Sequence, residues 1–255
     1  MLSQIIAQVR RRLPELLRRA AEVEAAAGRQ EPARDYLAAL ATPGLSVIAE
    51  IKRASPSRGL IDADLDPATL AVEYGHGGAA AISVLTEPRH FRGSLDDLVR
   101  VRQAVDVPVL RKDFLLDPIQ VWEARAAGAD AVLLIVAALE DAALADLLAA
   151  THANGMEAMV EVHSPLEVER ARAAGARVIG VNNRDLETFE VDLGTAERLA
   201  PMLTGATVAV AESGIWTPAD ARRMRAAGYG AVLVGESLVR SPDPKGLLAR
   251  LREDE

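Results

Sequence analysis

The sequence predicts an α/β fold, a (β/α)8 TIM barrel with an N-terminal helical extension, on three observations: its length, a recurring glycine-to-strand segment and a row of proline-marked helix starts. At 255 residues the chain is long for one sandwich, short for two ordinary domains and right for eight βα units in one domain. Half of it is apolar, enough for a sizeable core. Gly77-Gly-Ala-Ala-Ala-Ile-Ser-Val-Leu recurs as Ala127-Gly-Ala-Asp-Ala-Val-Leu-Leu-Ile, as Ala174-Gly-Ala-Arg-Val-Ile-Gly-Val and as Ala227-Gly-Tyr-Gly-Ala-Val-Leu-Val-Gly. Each copy is a helix end, a glycine suited to closing it, and a β-rich apolar run. The spacing is about two βα units, so weaker units lie between the copies.

Taken in order, residues 1–44 form the extension. Ile5, Ile6, Val9, Leu13, Leu16, Leu17 and Ala20 follow helical spacing, with Pro14 expected to break or kink the helix. Residues 45–255 form the barrel. Leu45–Ile51 is the first strand and Asp66-Pro67 opens the helix after it. The second strand lies in the first repeat, and Val109–Arg111 is the third. Asp117-Pro118 opens a helix leading to the second repeat, the fourth strand. Ala158–Val162 is the fifth, followed by Ser164-Pro165, where Glu167 three residues on predicts a capping box. The third repeat supplies the sixth strand, Val208–Ala211 the seventh, and Thr217-Pro218 opens the helix before the eighth. A capping residue followed by proline at the first helical position marks each of these starts. The nearly continuous apolar runs suit parallel strands buried on both faces. An open doubly wound sheet fits less well, since no G-x-G-x-x-G follows the first strand.

The net charge of −8 argues against nucleic acid as a partner. No apolar run approaches the roughly 18 residues that would cross a bilayer, and arginines interrupt the amino-terminal stretch by Arg10, so no signal-peptide core is present. We therefore expect a cytoplasmic protein that does not engage membranes, a monomer or weak homodimer. The absence of cysteine removes disulfides, thiolate nucleophiles and thiolate metal sites. His76, His90, His152 and His163 are scattered, with no zinc-like spacing, and are assigned structural or surface roles with no metal. Trp122 and Trp216 are assigned to packing.

Lysine occurs only at Lys52, Lys112 and Lys245 among 29 basic residues. Arginine does not release a proton usefully near neutral pH, whereas a lysine can once crowded by cations or desolvated. Lys245 falls near the last helix, on the surface. Lys52 and Lys112 fall at strand ends, where barrels hold their chemistry. So do Glu50 on the first strand, Glu161 on the fifth, Asn182 on the sixth and Glu212 on the seventh. Alternate strands feed one interior layer, so Glu50, Lys52, Lys112, Glu161 and Glu212 are expected to converge as an acid/base set. Ser213-Gly214 and Gly235-Glu236-Ser237 lie where barrels bind phosphate through backbone N–H groups. Glu236 is expected to contribute backbone rather than side chain. The loop from Lys52 to Ile61, with Arg53 and Arg58, suits an anionic group. Phe91 and Phe114 near the mouth hint at an aromatic substrate. A small phosphorylated substrate follows.

Ile48-Ala-Glu-Ile-Lys-Arg-Ala-Ser-Pro-Ser-Arg-Gly-Leu-Ile, His90-Phe-Arg-Gly-Ser, Leu110-Arg-Lys-Asp-Phe, Val160-Glu-Val, Asn182-Asn-Arg-Asp-Leu and Ala211-Glu-Ser-Gly-Ile together resemble the indole-3-glycerol-phosphate synthase family of tryptophan biosynthesis. The likeness runs from Val47 to Arg240. It implies closure of the indole ring of 1-(2-carboxyphenylamino)-1-deoxyribulose 5-phosphate with loss of carbon dioxide and water, without metal or organic cofactor. It further implies Lys112 as general acid and Glu161 as general base. Lys52 would sit on the anthranilate carboxylate and share in acid catalysis, with Glu50, Asn182 and Glu212 orienting. Ser55, Ser213, Gly214 and Gly235 would make polar or phosphate contacts, Arg184 is a further site arginine, and Phe91, Phe114, Leu133 and Leu186 would wall the aromatic ring. Glu236 departs from the small hydroxyl residue that often follows the glycine after the last strand. Two other readings stay open: a phosphoribosylanthranilate isomerase-like barrel, and a non-catalytic barrel that binds a metabolite.

Overall fold

The computed structural model describes residues 2–56 and 59–253. The apolar runs become eight strands: β1 Ser46–Ile51, β2 Ala81–Leu85, β3 Val109–Lys112, β4 Ala131–Ile135, β5 Glu157–Val162, β6 Val178–Asn182, β7 Val208–Glu212 and β8 Ala231–Val234. Each pairs in parallel with its sequence neighbours, and β8 closes on β1. Alternation along the strands splits the core in two. Val47, Ala49 and Ile51 of β1 pack with helix residues such as Tyr74, Leu98 and Leu248. Ile48 instead joins Leu110, Met159, Val210 and Leu233 inside the barrel.

The extension forms α1 Leu2–Arg18, α2 Ala20–Ala27 and α3 Tyr36–Leu40. Pro14 does not end α1, which runs four residues past it and stops at Arg19. Only Ile5 and Val9 of its apolar face are buried, while Leu17 is exposed. α1 thus continues through Pro14 with Leu13 and Leu16 half-buried. At the other end of the extension, Tyr36 and Leu40 of α3 complete the barrel interior. The Tyr36 hydroxyl lies 3.8 Å from Met159 Sδ, so α3 plugs the end of the barrel opposite the strand C-termini.

Between these points the chain is clamped by Asp130, fully buried just before β4. Its Oδ1 accepts the Arg34 N–H at 2.8 Å, its Oδ2 accepts the Val109 N–H at 2.8 Å, and Arg102 Nε stands 3.3 Å from Oδ2. Removing a buried anion leaves its partners uncompensated. Asp130→Ala should therefore lower the unfolding free energy by about 3 kcal/mol in a denaturant titration. A change below about 0.5 kcal/mol would show that the clamp is dispensable.

The remaining helices are α4 Pro67–His76, α5 Leu95–Ala104, α6 Pro118–Ala126, α7 Asp141–Ala153, α8 Pro165–Ala173, α9 Gly194–Leu199, α10 Pro218–Ala226, α11 Glu236–Val239 and α12 Pro244–Arg252. Asp66, Asp117, Ser164 and Thr217 all cap helices whose first residue is proline. Reciprocal capping boxes form at Asp117 with Gln120 and at Thr217 with Asp220. The box expected at Ser164 does not form. Glu167 reaches one residue further back, accepting the His163 N–H at 2.8 Å with the His163 ring beside it. There one carboxylate oxygen meets both a backbone donor and an ionisable ring, which the Ser164 N–H alone does not offer.

Candidate active site

Inward-facing positions recur every second residue, and the polar set continues that pattern one step beyond the core. Glu50 follows Ile48, Lys112 follows Leu110, Glu161 follows Met159 and Glu212 follows Val210, each by two. The apolar neighbours all belong to the barrel interior, so the ionisable side chains emerge just above it. There Lys112 Nζ stands 3.6 Å from Glu161 Oε2 and 4.0 Å from Glu50 Oε2, and hydrogen-bonds Glu212 Oε2. Lys52 Nζ donates to Glu50 Oε1 at 2.7 Å. The predicted convergence holds.

Glycines make room for it. A Cβ on Gly180, inside β6, would sit 2.3 Å from Glu212 Oε1, and one on Gly235 would sit 2.5 Å from Glu50 Oε1. Both carboxylates thus occupy space that any other residue would fill.

The electrostatics differ from the expectation of a lysine with a lowered pKa. Burial alone would favour a neutral Lys112. The charges of Glu212, Glu161 and Glu50 outweigh it and hold the ammonium well above its ordinary range. Burial pushes the Glu212 carboxyl up to about 7, with Lys112 opposing and Glu161 adding to the rise. Burial acts on Glu50 in the same sense, but Lys52 and Lys112 together hold it below the usual carboxylate range. The resting site is a buried ammonium shared among three carboxyls, of which Glu50 is held down and Glu212 pushed up.

Above this cluster opens a cavity of about 660 Å³. Its lining includes Glu50, Lys52, Ser55, Lys112, Glu161, Asn182, Arg184, Ser213, Gly214, Gly235 and Glu236 among the expected polar residues, and Phe91, Phe114, Leu133 and Leu186 among the apolar ones. Glu212 lies beneath, joined through Lys112. Phe91 and Phe114 face each other with ring centroids 6.4 Å apart. Asn182 Oδ1 accepts the Arg184 N–H at 3.0 Å. Ser213 and Gly214 both adopt positive φ, 64° and 82°, so the backbone bends sharply just past the end of β7. The Glu236 carboxylate accepts from Arg240 Nε at 3.0 Å.

Several expectations need correction. The segment after β1 is not an open cationic loop: Ala54–Ser55 pairs antiparallel with Gly59–Leu60. Arg53 is committed to Asp97, donating at 2.6 and 3.0 Å, because that carboxylate lies on the adjacent α5 and offers a two-point contact. Arg58 lies outside the described residues. Trp216 is not a packing residue. It is 42% exposed and lines the cavity rim. The sequence reading also missed Phe189, Leu2 and Ile5, which line the same cavity. Phe189 had a signal: the chain holds three phenylalanines, and all three are here. It sits at φ 63°, with its carbonyl accepting from Arg184 Nη1 at 3.1 Å. Leu2 and Ile5 bring α1 to the cavity, which periodicity alone could not place.

Among the described residues no group of three or more His, Asp or Glu side chains is arranged to hold a metal ion. No helix among them is long and apolar enough to cross a membrane.

A sequence profile of the indole-3-glycerol phosphate synthase family matches residues 2–251. The indole-3-glycerol phosphate synthase of Mycobacteroides abscessus is 56% identical over 231 residues, covering 91% of this chain and 85% of the relative. Indole-3-glycerol phosphate synthase 1 of Streptomyces coelicolor is 53% identical over 252 residues, covering 98% and 94%. Among solved structures, thiamine phosphate pyrophosphorylase from Pyrococcus furiosus superposes with TM-score 0.62 at 19% identity, over 84% of this chain and 96% of that one. A 3-hexulose-6-phosphate synthase gives 0.63 at 17%, over 82% and 98%. At such identities these two show the barrel fold alone.

Proposed function

The chain belongs to the indole-3-glycerol phosphate synthase family, decarboxylating lyases of tryptophan biosynthesis, and we propose the following division of labour for the ring closure it catalyses. The observation that carries it is the Lys112 ammonium held within 4.0 Å of three carboxylates under an aromatic-walled cavity.

The substrate 1-(2-carboxyphenylamino)-1-deoxyribulose 5-phosphate places its phosphate on the backbone N–H groups around Ser213, Gly214, Gly235 and Glu236. Its aromatic ring lies among Phe91, Phe114, Leu133 and Leu186, and its carboxylate meets Lys52. Ser55, Asn182 and Arg184 hold the polar middle of the molecule. Lys112 then donates its proton to the carbonyl oxygen as the aryl carbon attacks the carbonyl carbon. The alkoxide forming there is far more basic than an amine, so the transfer runs downhill even from a lysine whose pKa is raised. Loss of carbon dioxide restores the aromatic ring, which positioning and exclusion of water suffice to promote. Glu161 removes the proton from the adjacent carbon while the new hydroxyl takes a proton from Lys52 and leaves as water, which forms the indole double bond. Glu50 and Glu212 keep both lysines in place. The reaction so written needs no metal or organic cofactor. No observation favours the isomerase-like or non-catalytic alternatives. We place the enzyme in the cytoplasm as a monomer or weak homodimer acting on this small phosphorylated substrate, without nucleic acid or membrane. The net charge of −8 supports the last part of that reading.

Purified protein mixed with the substrate in EDTA should produce indole fluorescence. Absence of a signal, with substrate binding shown by calorimetry, would overturn the assignment.

A further inference from the structure

The general base proposed above is held from two sides. Glu161 Oε2 faces Lys112, and Glu161 Oε1 lies 3.4 Å from Nε2 of His163, two residues on and hence on the same face of the chain. The other ring nitrogen, Nδ1, stands 3.3 Å from Glu167 Oε2, which also accepts the His163 N–H at 2.8 Å. The ring is largely buried, and Nε2 has no hydrogen-bond partner. His163 does not line the cavity, whereas Glu161 does. The strongest charged influences on the ring come from Glu167 on α8, Glu161 on β5 and Glu212 on β7, all carboxylates, and the ring also acts on Asp185 in the loop after β6; Lys112 faces the far oxygen of Glu161.

We propose that His163 is a positioning residue for Glu161: pinned by Glu167 on one side, its ring fixes the carboxylate of the base on the other. The role rests on Glu161 being the base. A small rotation of the ring turns the 3.4 Å separation into a hydrogen bond from Nε2–H to Oε1, while Nδ1–H donates to Glu167. Burial pulls the imidazolium down, but the Glu167 hydrogen bond and the surrounding carboxylates outweigh it, so the ring stays protonated to higher pH than a free histidine. Removing a cation that lies against the carboxylate of the base should change how turnover depends on pH. The mechanism proposed above gave His163 no part, and sequence spacing had marked it as structural or surface.

The test compares pH profiles of kcat for the parent, His163→Asn and Glu161→Gln. In His163→Asn the acid limb should move up by about one pH unit, so that well below its midpoint turnover falls about tenfold, while KM stays unchanged and the two profiles converge above neutrality. A profile that superimposes on the parent's, with Glu161→Gln inactive, overturns the role of His163 and leaves the base in place. Parent-like turnover in Glu161→Gln overturns the base assignment itself. Should His163→Asn fail to fold, 15N NMR of the imidazole in the parent and in Glu161→Gln decides the matter. Loss of one facing carboxylate should lower the ring's pKa, and an unchanged titration overturns the proposal.

Discussion

Lys112→Ala is expected to lower turnover by about a hundredfold or more, the usual loss when a positioned acid is removed, in a protein that still binds its substrate. The phosphate and aromatic contacts proposed here lie on other residues, so KM should change far less than kcat. A second consequence follows from the cluster. Lys112 is the main influence opposing the rise of the Glu212 carboxyl. Without it, a group already raised to about 7 rises further. A folded-state pKa above the ordinary 4.5 means that the folded protein favours the protonated acid. The variant therefore gains stability as pH falls from the folded value towards 4.5, and loses it as pH rises. Thermal unfolding at pH 6 and pH 8 reads this directly: the variant should lose more Tm between the two than the parent does. Near-normal turnover would remove Lys112 from the chemistry. A parent-like pH dependence of Tm would show that the Glu212 carboxyl does not depend on its charge.

The reason so much of this site was legible lies in the strand period. Once β1, β3, β5 and β7 were recognised, the inward parity of each strand fixed where Glu50, Lys112, Glu161 and Glu212 must point, and the rarity of lysine marked the two that matter. What the sequence did not reveal depends on contacts between segments far apart in the chain. Nothing local to Arg53 says that Asp97, 44 residues on, takes its guanidinium away from the mouth. Nothing in the spacing of α1 says that Leu2 and Ile5 arrive above the strand ends. The electrostatics were misjudged for a similar reason. A lysine near other cations would lose its proton readily, but the side chains that actually surround Lys112 come from three other strands, and all are acidic.

Glu161→Gln tests the other half of the acid/base pair and should separate chemistry from folding. The substitution keeps shape and removes one negative charge from a buried group of three. Lys112 retains Glu212 and Glu50, so its charge remains compensated. Glu161 is one of the influences raising the Glu212 carboxyl, so Glu212 should become more acidic in the variant, and stability near pH 7 should not fall. Turnover should nevertheless drop by about a hundredfold or more. The block should come late in the reaction, because the acid that drives ring closure is intact. Mixing the variant with substrate should release carbon dioxide, up to one equivalent per site, before indole fluorescence develops. In the parent the two signals should rise together. Simultaneous loss of both would move Glu161 to the ring-closing step, and parent-like kinetics in both would leave the removal of the final proton to another group facing the cavity.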